Sequence, residues 1–146
     1  MKFKIIIDKT KEEEIIATVH APSALTEKIQ QLVQEFTGTD RVAAFLEDDI
    51  KMLPFAEIAC ITVQDGKTWA VDQSGKRYRL KQRLYELEAV LPASFIRIIK
   101  SALANEQLIE RFAATFSGAG DAVFRGGYRE YVSRRCFAQI KRRYRL

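Results

Sequence analysis

The 146-residue chain is 47% hydrophobic and 29% charged, with a formal net charge of +5 and an isoelectric point near 9.3. That balance excludes an intrinsically disordered chain, and the length suits one domain, or one domain with a small extension, able to bury a core without covalent staples. Its apolar runs fall far short of the ~20 residues that cross a bilayer, and the three isoleucines after Lys4 are too few for a signal peptide, so a cytoplasmic protein is expected.

Residues 1–39 are expected to form a strand–strand–helix extension. FKIIID (3–8) and IIATVH (15–20) are β-rich, and the charged KTKEEE between them is a turn. His20, the single histidine, precedes the Ala21-Pro22 break and has a turn or surface role. Pro22 and Ser23 open a helix in which Leu25, Ile29, Leu32, Val33 and Phe36 recur at helical spacing. This stripe either packs on the extension's own strands or faces a second copy or an inhibitor. The break at Thr37-Gly38-Thr39-Asp40 divides the extension from a second unit, 40–146.

Beyond the break the punctuation becomes that of a β-meander. VAAFL (42–46), FAEIACITV (55–63), TWAVD (68–72) and KRYRL (76–80) are short strands, with Asp65-Gly66 and Ser74-Gly75 as turns between them. A helix over 82–91, apolar at Leu84, Leu87, Val90 and Leu91, is stopped by Pro92. FIRIIKSALA, ERFAATF, AVFRGG and REYVSRR follow as strands, Gly118, Gly120, Gly126 and Gly127 supply turns, and 136–144 forms a short terminal helix. The fold is mainly β with one or two short helices.

No set of catalytic groups converges in this pattern. Cys60 and Cys136 lack metal-ligand spacing and serve as small buried hydrophobes. Glu47, Asp48 and Asp49 belong to the charged turn LEDDIK, and GAGDAVFRGG lacks the GK[ST] of a phosphate loop. Neither an enzyme nor a cofactor or metal is expected. The charge is instead lopsided: residues 125–146 carry eight Lys and Arg, Arg145 included, against Glu130, which leaves the rest of the chain slightly acidic. Such asymmetry points to a polyanion on one face.

Three stretches could meet it. DGKT is a turn that lifts Lys67 and Thr68 from the sheet, or else an ordinary hairpin turn. RIIKSALAN breaks an apolar run with Lys100 and Ser101, or guards a strand edge with a lysine. VSRR sets Arg134 and Arg135 ahead of a basic tail, and an arginine fork suits guanine edges or phosphate.

Taken in order, FAEIACITVQDGKTWAV, LYELEAVLP, FIRIIKSALAN and YVSRRCFAQIK resemble a LytTR-type DNA-binding domain, from about Val42 to the C-terminus. The resemblance implies a stack of antiparallel sheets whose loops, not a recognition helix, enter the major groove. It places base contacts on Lys67, Thr68, Lys100, Ser101, Arg134 and Arg135, with Arg135 foremost. Arg129, Lys141, Arg142 and Arg143 are expected on phosphates. Ile99 stands where the family commonly has histidine, so no operator sequence carries over. Asn105 matches the family's asparagine and is expected in a turn. Residues 1–39 leave no room for a receiver domain. The implied protein is therefore a stand-alone bacterial transcription regulator on double-stranded DNA, acting as a homodimer on repeated sites under a small membrane-protein regulator. The alternatives are a basic interaction module for an acidic protein or membrane surface, and an RNA binder stacking bases on Phe95, Tyr128 and Tyr131.

Overall fold

The computed structural model describes residues 1–37 and 40–144. Gly38, Thr39, Arg145 and Leu146 lie outside the described residues, and with them fall the expected division at 39/40 and the last cation of the tail. The described elements run in the order α1 (Ala24–Thr37), β1 (Arg41–Leu46), β2 (Asp49–Pro54), β3 (Cys60–Gln64), β4 (Lys67–Val71), β5 (Arg77–Leu80), α2 (Leu84–Val90), β6 (Phe95–Ile99), β7 (Ala102–Asn105), β8 (Ile109–Ala114), β9 (Gly120–Phe124), β10 (Arg129–Val132) and α3 (Arg134–Arg143). The fold is mostly antiparallel sheet with three short helices, as expected of its class.

A seven-stranded sheet has the order β2-β1-β5-β4-β3-β7-β6, and a three-stranded sheet has the order β10-β9-β8. Side chains alternate across the first sheet with the period of two that strands impose. Ile61, Ala70, Tyr78, Leu80 and Leu103 point to one face, where they bury Leu87 of α2 and Leu53 of β2. Cys60, Val71, Ile98 and Ala102 point to the other, where Phe124 and Val132 of the small sheet and Phe137 and Ile140 of α3 complete a second core. Both cysteines are free and buried, as expected, and burial pushes the Cys60 thiol far up. Asn105 also takes its expected turn role: it is buried, and its side chain caps the short 3₁₀ turn Glu106–Leu108 by accepting from the Gln107 N–H at 3.2 Å.

Gly120 shows how closely the second core is filled. A Cβ there would stand 2.5 Å from the Phe137 ring and 2.7 Å from the Ala113 carbonyl oxygen, a space only glycine leaves open.

Four expectations need correction. The strands over 3–8 and 15–20 do not form: residues 1–23 carry neither strand nor helix, and their side chains are exposed. A lone two-stranded hairpin with no surface to cover is marginal in water, whatever its β propensity. The stripe of α1 does not pack on strands of its own either. Gln30 and Gln34 dock the helix instead, donating to the carbonyls of Leu91, just past α2, and Val90, its last residue, at 3.3 and 3.0 Å, while the Ala93 N–H donates back to Gln30 at 3.2 Å. Leu25, Leu32 and Phe36 remain exposed. LEDDIK is a turn only at Glu47 and Asp48, and Asp49 already opens β2, paired with Leu46. FIRIIKSALA is two strands, because the chain reverses at Lys100 and Ser101.

Candidate functional site

The β3–β4 connection is a two-residue turn, Asp65 (φ 53°) and Gly66 (φ 72°), the Asp-Gly pair suited to a right-twisted hairpin. Gln64 and Lys67 face each other across it. Lys67 opens β4 and is exposed, whereas Thr68 is only 7% exposed and turns into the first core between Val63 and Leu80. The expected lift of Thr68 away from the sheet does not occur: the reversal uses two residues, so Lys67 and Thr68 already alternate as strand residues.

The β6–β7 turn lies beside this tip, because the Val63 N–H donates to the Ser101 carbonyl at 2.9 Å and ties the turn to the end of β3. Arg97, ion-paired with Glu88 of α2, donates to the Lys100 carbonyl at 2.6 Å. These two bonds hold the backbone of the turn while the Lys100 side chain stays exposed and Ser101 is half-buried.

The third segment docks on the outer side of β6. As β10 ends at Val132, the Ser133 N–H donates to the Ile98 carbonyl at 2.9 Å. The Ser133 Oγ then accepts from the Cys136 N–H at 3.2 Å, capping α3. Arg134 and Arg135 therefore form the first turn of a helix. The expectation of a strand through VSRR with a helix from 136 is corrected by this cap. Cys136, Phe137 and Ile140 face the core, and both arginines stay exposed, the Arg134 stem lying along Gly118.

Strand order brings the three segments together. Antiparallel register sets the end of β3, the start of β4, the end of β6 and the start of β7 at one end of the sheet, with Ser133 next in line. At ~4.8 Å per strand, Lys67 and the start of α3 are the extremes of a rim of ~20 Å. Lys67, Lys100, Arg134 and Arg135 all stand on it. Among the described residues, none of these four side chains has an ion-pair or hydrogen-bond partner.

The expected phosphate set is placed differently. Arg129 pairs with Asp121 at 3.1 Å and Arg143 with Glu106 at 2.9 Å, while the Lys141 ammonium lies 4.8 Å from the Phe137 ring centre and Arg142 donates to the Ala138 carbonyl at 3.4 Å. At 1.5 Å per residue, Lys141 to Arg143 stand ~10–14 Å along α3 from Arg134, so the structure does not bring Lys141, Arg142 and Arg143 to the rim. There they complement the negative end of the helix dipole.

Sequence reasoning missed a cationic patch next to Lys67. On the same face of the sheet, the Arg77 and Arg79 guanidinium groups lie 5.2 and 6.0 Å from the Trp69 ring centre, and Arg77 donates to Gln64 at 2.5 Å. The signal was the alternation in KTW and RYR, which sets Lys67, Trp69, Arg77 and Arg79 on one face of a hairpin. The aromatics considered for RNA are mostly withdrawn: Phe95 is buried and Tyr128 stacks on Phe124, leaving Tyr131 exposed.

The LytTr DNA-binding domain family model matches residues 48–145. Two uncharacterized HTH-type transcriptional regulators of Staphylococcus aureus, strains MSSA476 and MW2, are each 29% identical to this chain over 146 residues, covering 98% of it and 97% of their own length. A solved LytTr DNA-binding domain from Bacillus cereus superposes with a TM-score of 0.67 at 22% identity, over 73% of this chain and 98% of its own. The likeness to that structure is one of fold. Among the described residues no two helices are consecutive, so the fold presents no helix–turn–helix.

Proposed function

Because the chain belongs to the LytTr DNA-binding domain family, we propose that it is a bacterial transcription regulator that binds duplex DNA sequence-specifically, in the cytoplasm and without catalysis. The observation that carries the reading is the rim, where three segments far apart in sequence bring four exposed cations, unpartnered among the described residues, to one end of one sheet.

Arg135 and Arg134 read base edges, since a guanidinium fork matches the O6 and N7 acceptors of guanine. Lys67 and Lys100 reach guanine or phosphate from the two turns, with the Ser101 hydroxyl beside them. A rim of ~20 Å exceeds the ~12 Å width of the major groove, so its two extremes do not share one groove opening. Thr68 supports the hairpin from within and drops out of the contact set. Arg129, Lys141, Arg142 and Arg143 act as peripheral phosphate contacts, which position without specifying sequence. Two copies occupy a repeated site, and a small membrane protein is the regulator that the family resemblance favours.

The test is binding to duplex DNA from the chain's own upstream region against a shuffled duplex, over a salt series. Preference for the native duplex is expected, with Arg135→Lys costing about 1–3 kcal/mol on it and a salt slope of ~0.9 per phosphate contact. Equal binding of both duplexes with a silent Arg135→Lys would instead support the basic interaction module.

A further inference from the structure

Residues 1–23 have no strand or helix, yet Phe3, Ile5, Ile6, Ile7, Ile15 and Ile16 are each between 68% and 89% exposed. Singly scattered exposed apolar residues are ordinary, but six large ones concentrated in one short segment mark an interaction site. Next along the chain, helix α1 also carries exposed apolar residues, Leu32 and Phe36, 66% and 92% exposed. The run KIIID (4–8) is also self-complementary, because Lys4 stands two residues before Ile6 and Asp8 two residues after it. Laid antiparallel on a second copy of itself with Ile6 at the centre, it sets Ile6 against Ile6, Ile5 against Ile7, and Lys4 against Asp8 twice.

We propose that the N-terminal segment is a homodimerisation arm in which residues 4–8, irregular in the single chain, become a strand that pairs antiparallel with the same residues of a second copy of this chain. The pairing is isologous, as a two-fold dimer requires, and places opposite charges directly across from each other at both ends. An unrelated partner has no reason to match that charge pattern; a second copy matches it by construction. Two β-rich segments from each copy make four strands, enough for a sheet to stand where one hairpin does not. Asp8 is already prepared as the strand's end. Its Oδ1 accepts from the Thr10 N–H at 2.9 Å and from the Thr10 hydroxyl at 2.6 Å, leaving Oδ2 for the partner's lysine.

The inference rests on the two-copy part of the reading above and on none of its DNA contacts. Sedimentation of the full chain without DNA tests it. The parent chain forms a dimer. Lys4→Asp sets carboxylates against each other and Asp8→Lys sets ammonium groups against each other, so each variant alone dissociates at least about tenfold more readily. Mixed in equal amounts, the two variants again face opposite charges at both ends, and the dimer returns. Both substitutions lie on exposed residues outside the cores, so thermal unfolding of the domain checks that the fold is intact. A monomeric parent, variants that associate like the parent, or a mixture that stays monomeric overturns the arm. Loss of sequence preference with the dimer intact would overturn the DNA reading alone.

Discussion

Ser133 hydrogen-bonds in two directions: its N–H donates to Ile98 on β6 at 2.9 Å, and its Oγ accepts from Cys136 at 3.2 Å. One residue thus attaches α3 to the edge of the large sheet and starts the helix, so the aim of Arg134 and Arg135 depends on a side chain that need not touch DNA. Ser133→Ala keeps the first bond and removes the cap. Denaturant unfolding should show a loss of about 1 kcal/mol. Affinity for the specific duplex should fall as well, although both arginines remain. Unchanged affinity would show that the helix start is held by packing alone.

Arg97 makes the corresponding case for the β6–β7 turn. Its guanidinium joins Glu88 of α2 to the Lys100 carbonyl, and its side chain is one-third exposed, so the ion pair itself adds little to stability. Arg97→Ala should leave the unfolding free energy within ~0.5 kcal/mol of the parent and weaken duplex binding through the freed turn. Double-mutant analysis with Lys100→Ala checks this: if Arg97 acts through Lys100, the two losses are not additive.

How much of this was legible in the sequence depended on how local each signal was. Asp65-Gly66 announced its hairpin, because the positive φ values are written in the residue types. β2 escaped notice because Ile50 and Met52 are more than half exposed, leaving no clean alternation, and because the acids of LEDDIK suggested loop. Ser133 followed by Cys136, Phe137 and Ile140 was a readable cap and apolar face, masked by the β-type Tyr131-Val132 before it. The three basic segments could be picked out from their residues, but their assembly at one end of the sheet could not. It rests on the Val63–Ser101 and Ile98–Ser133 bonds, which join residues 38 and 35 positions apart. The patch of Trp69, Arg77 and Arg79 likewise appears only once β4 and β5 are in register.

Gly120→Ala tests the tightness of the second core. The added methyl meets the Phe137 ring and the Ala113 carbonyl inside ordinary contact distance, and the carbonyl belongs to backbone that cannot rotate away. A loss of roughly 1–3 kcal/mol is expected from such overpacking, together with weaker duplex binding, since Phe137 anchors the helix that carries the arginines. Thermal unfolding and near-ultraviolet dichroism report both the loss and any shift of the aromatic ring.

Thiol chemistry provides an independent check on the same core. Cys60 is fully buried, and burial holds its thiol far above the ordinary range, leaving almost no thiolate at neutral pH. A thiol reagent should leave Cys60 unmodified in the native chain and label it once denaturant unfolds the domain, as peptide mapping would show. Rapid native labelling would mean that the small sheet opens readily from the large one.

Neighbouring residues on β4 separate contact from support most directly. Lys67 is exposed on the rim and Thr68 is buried in the first core, although both fall in the DGKT stretch. Among the described residues no hydrogen bond ties the Thr68 hydroxyl to a polar partner, so Thr68→Val exchanges a hydroxyl that makes no bond within the chain for a methyl and should be near neutral for folding. It should leave duplex affinity unchanged. Lys67→Ala should weaken binding and, if its contact is to phosphate, lower the salt slope by about one. If its contact is to guanine, discrimination at one base pair falls instead by about 1–3 kcal/mol. Loss of affinity in Thr68→Val with stability intact would mean that the hairpin opens on binding and that the threonine reaches DNA after all.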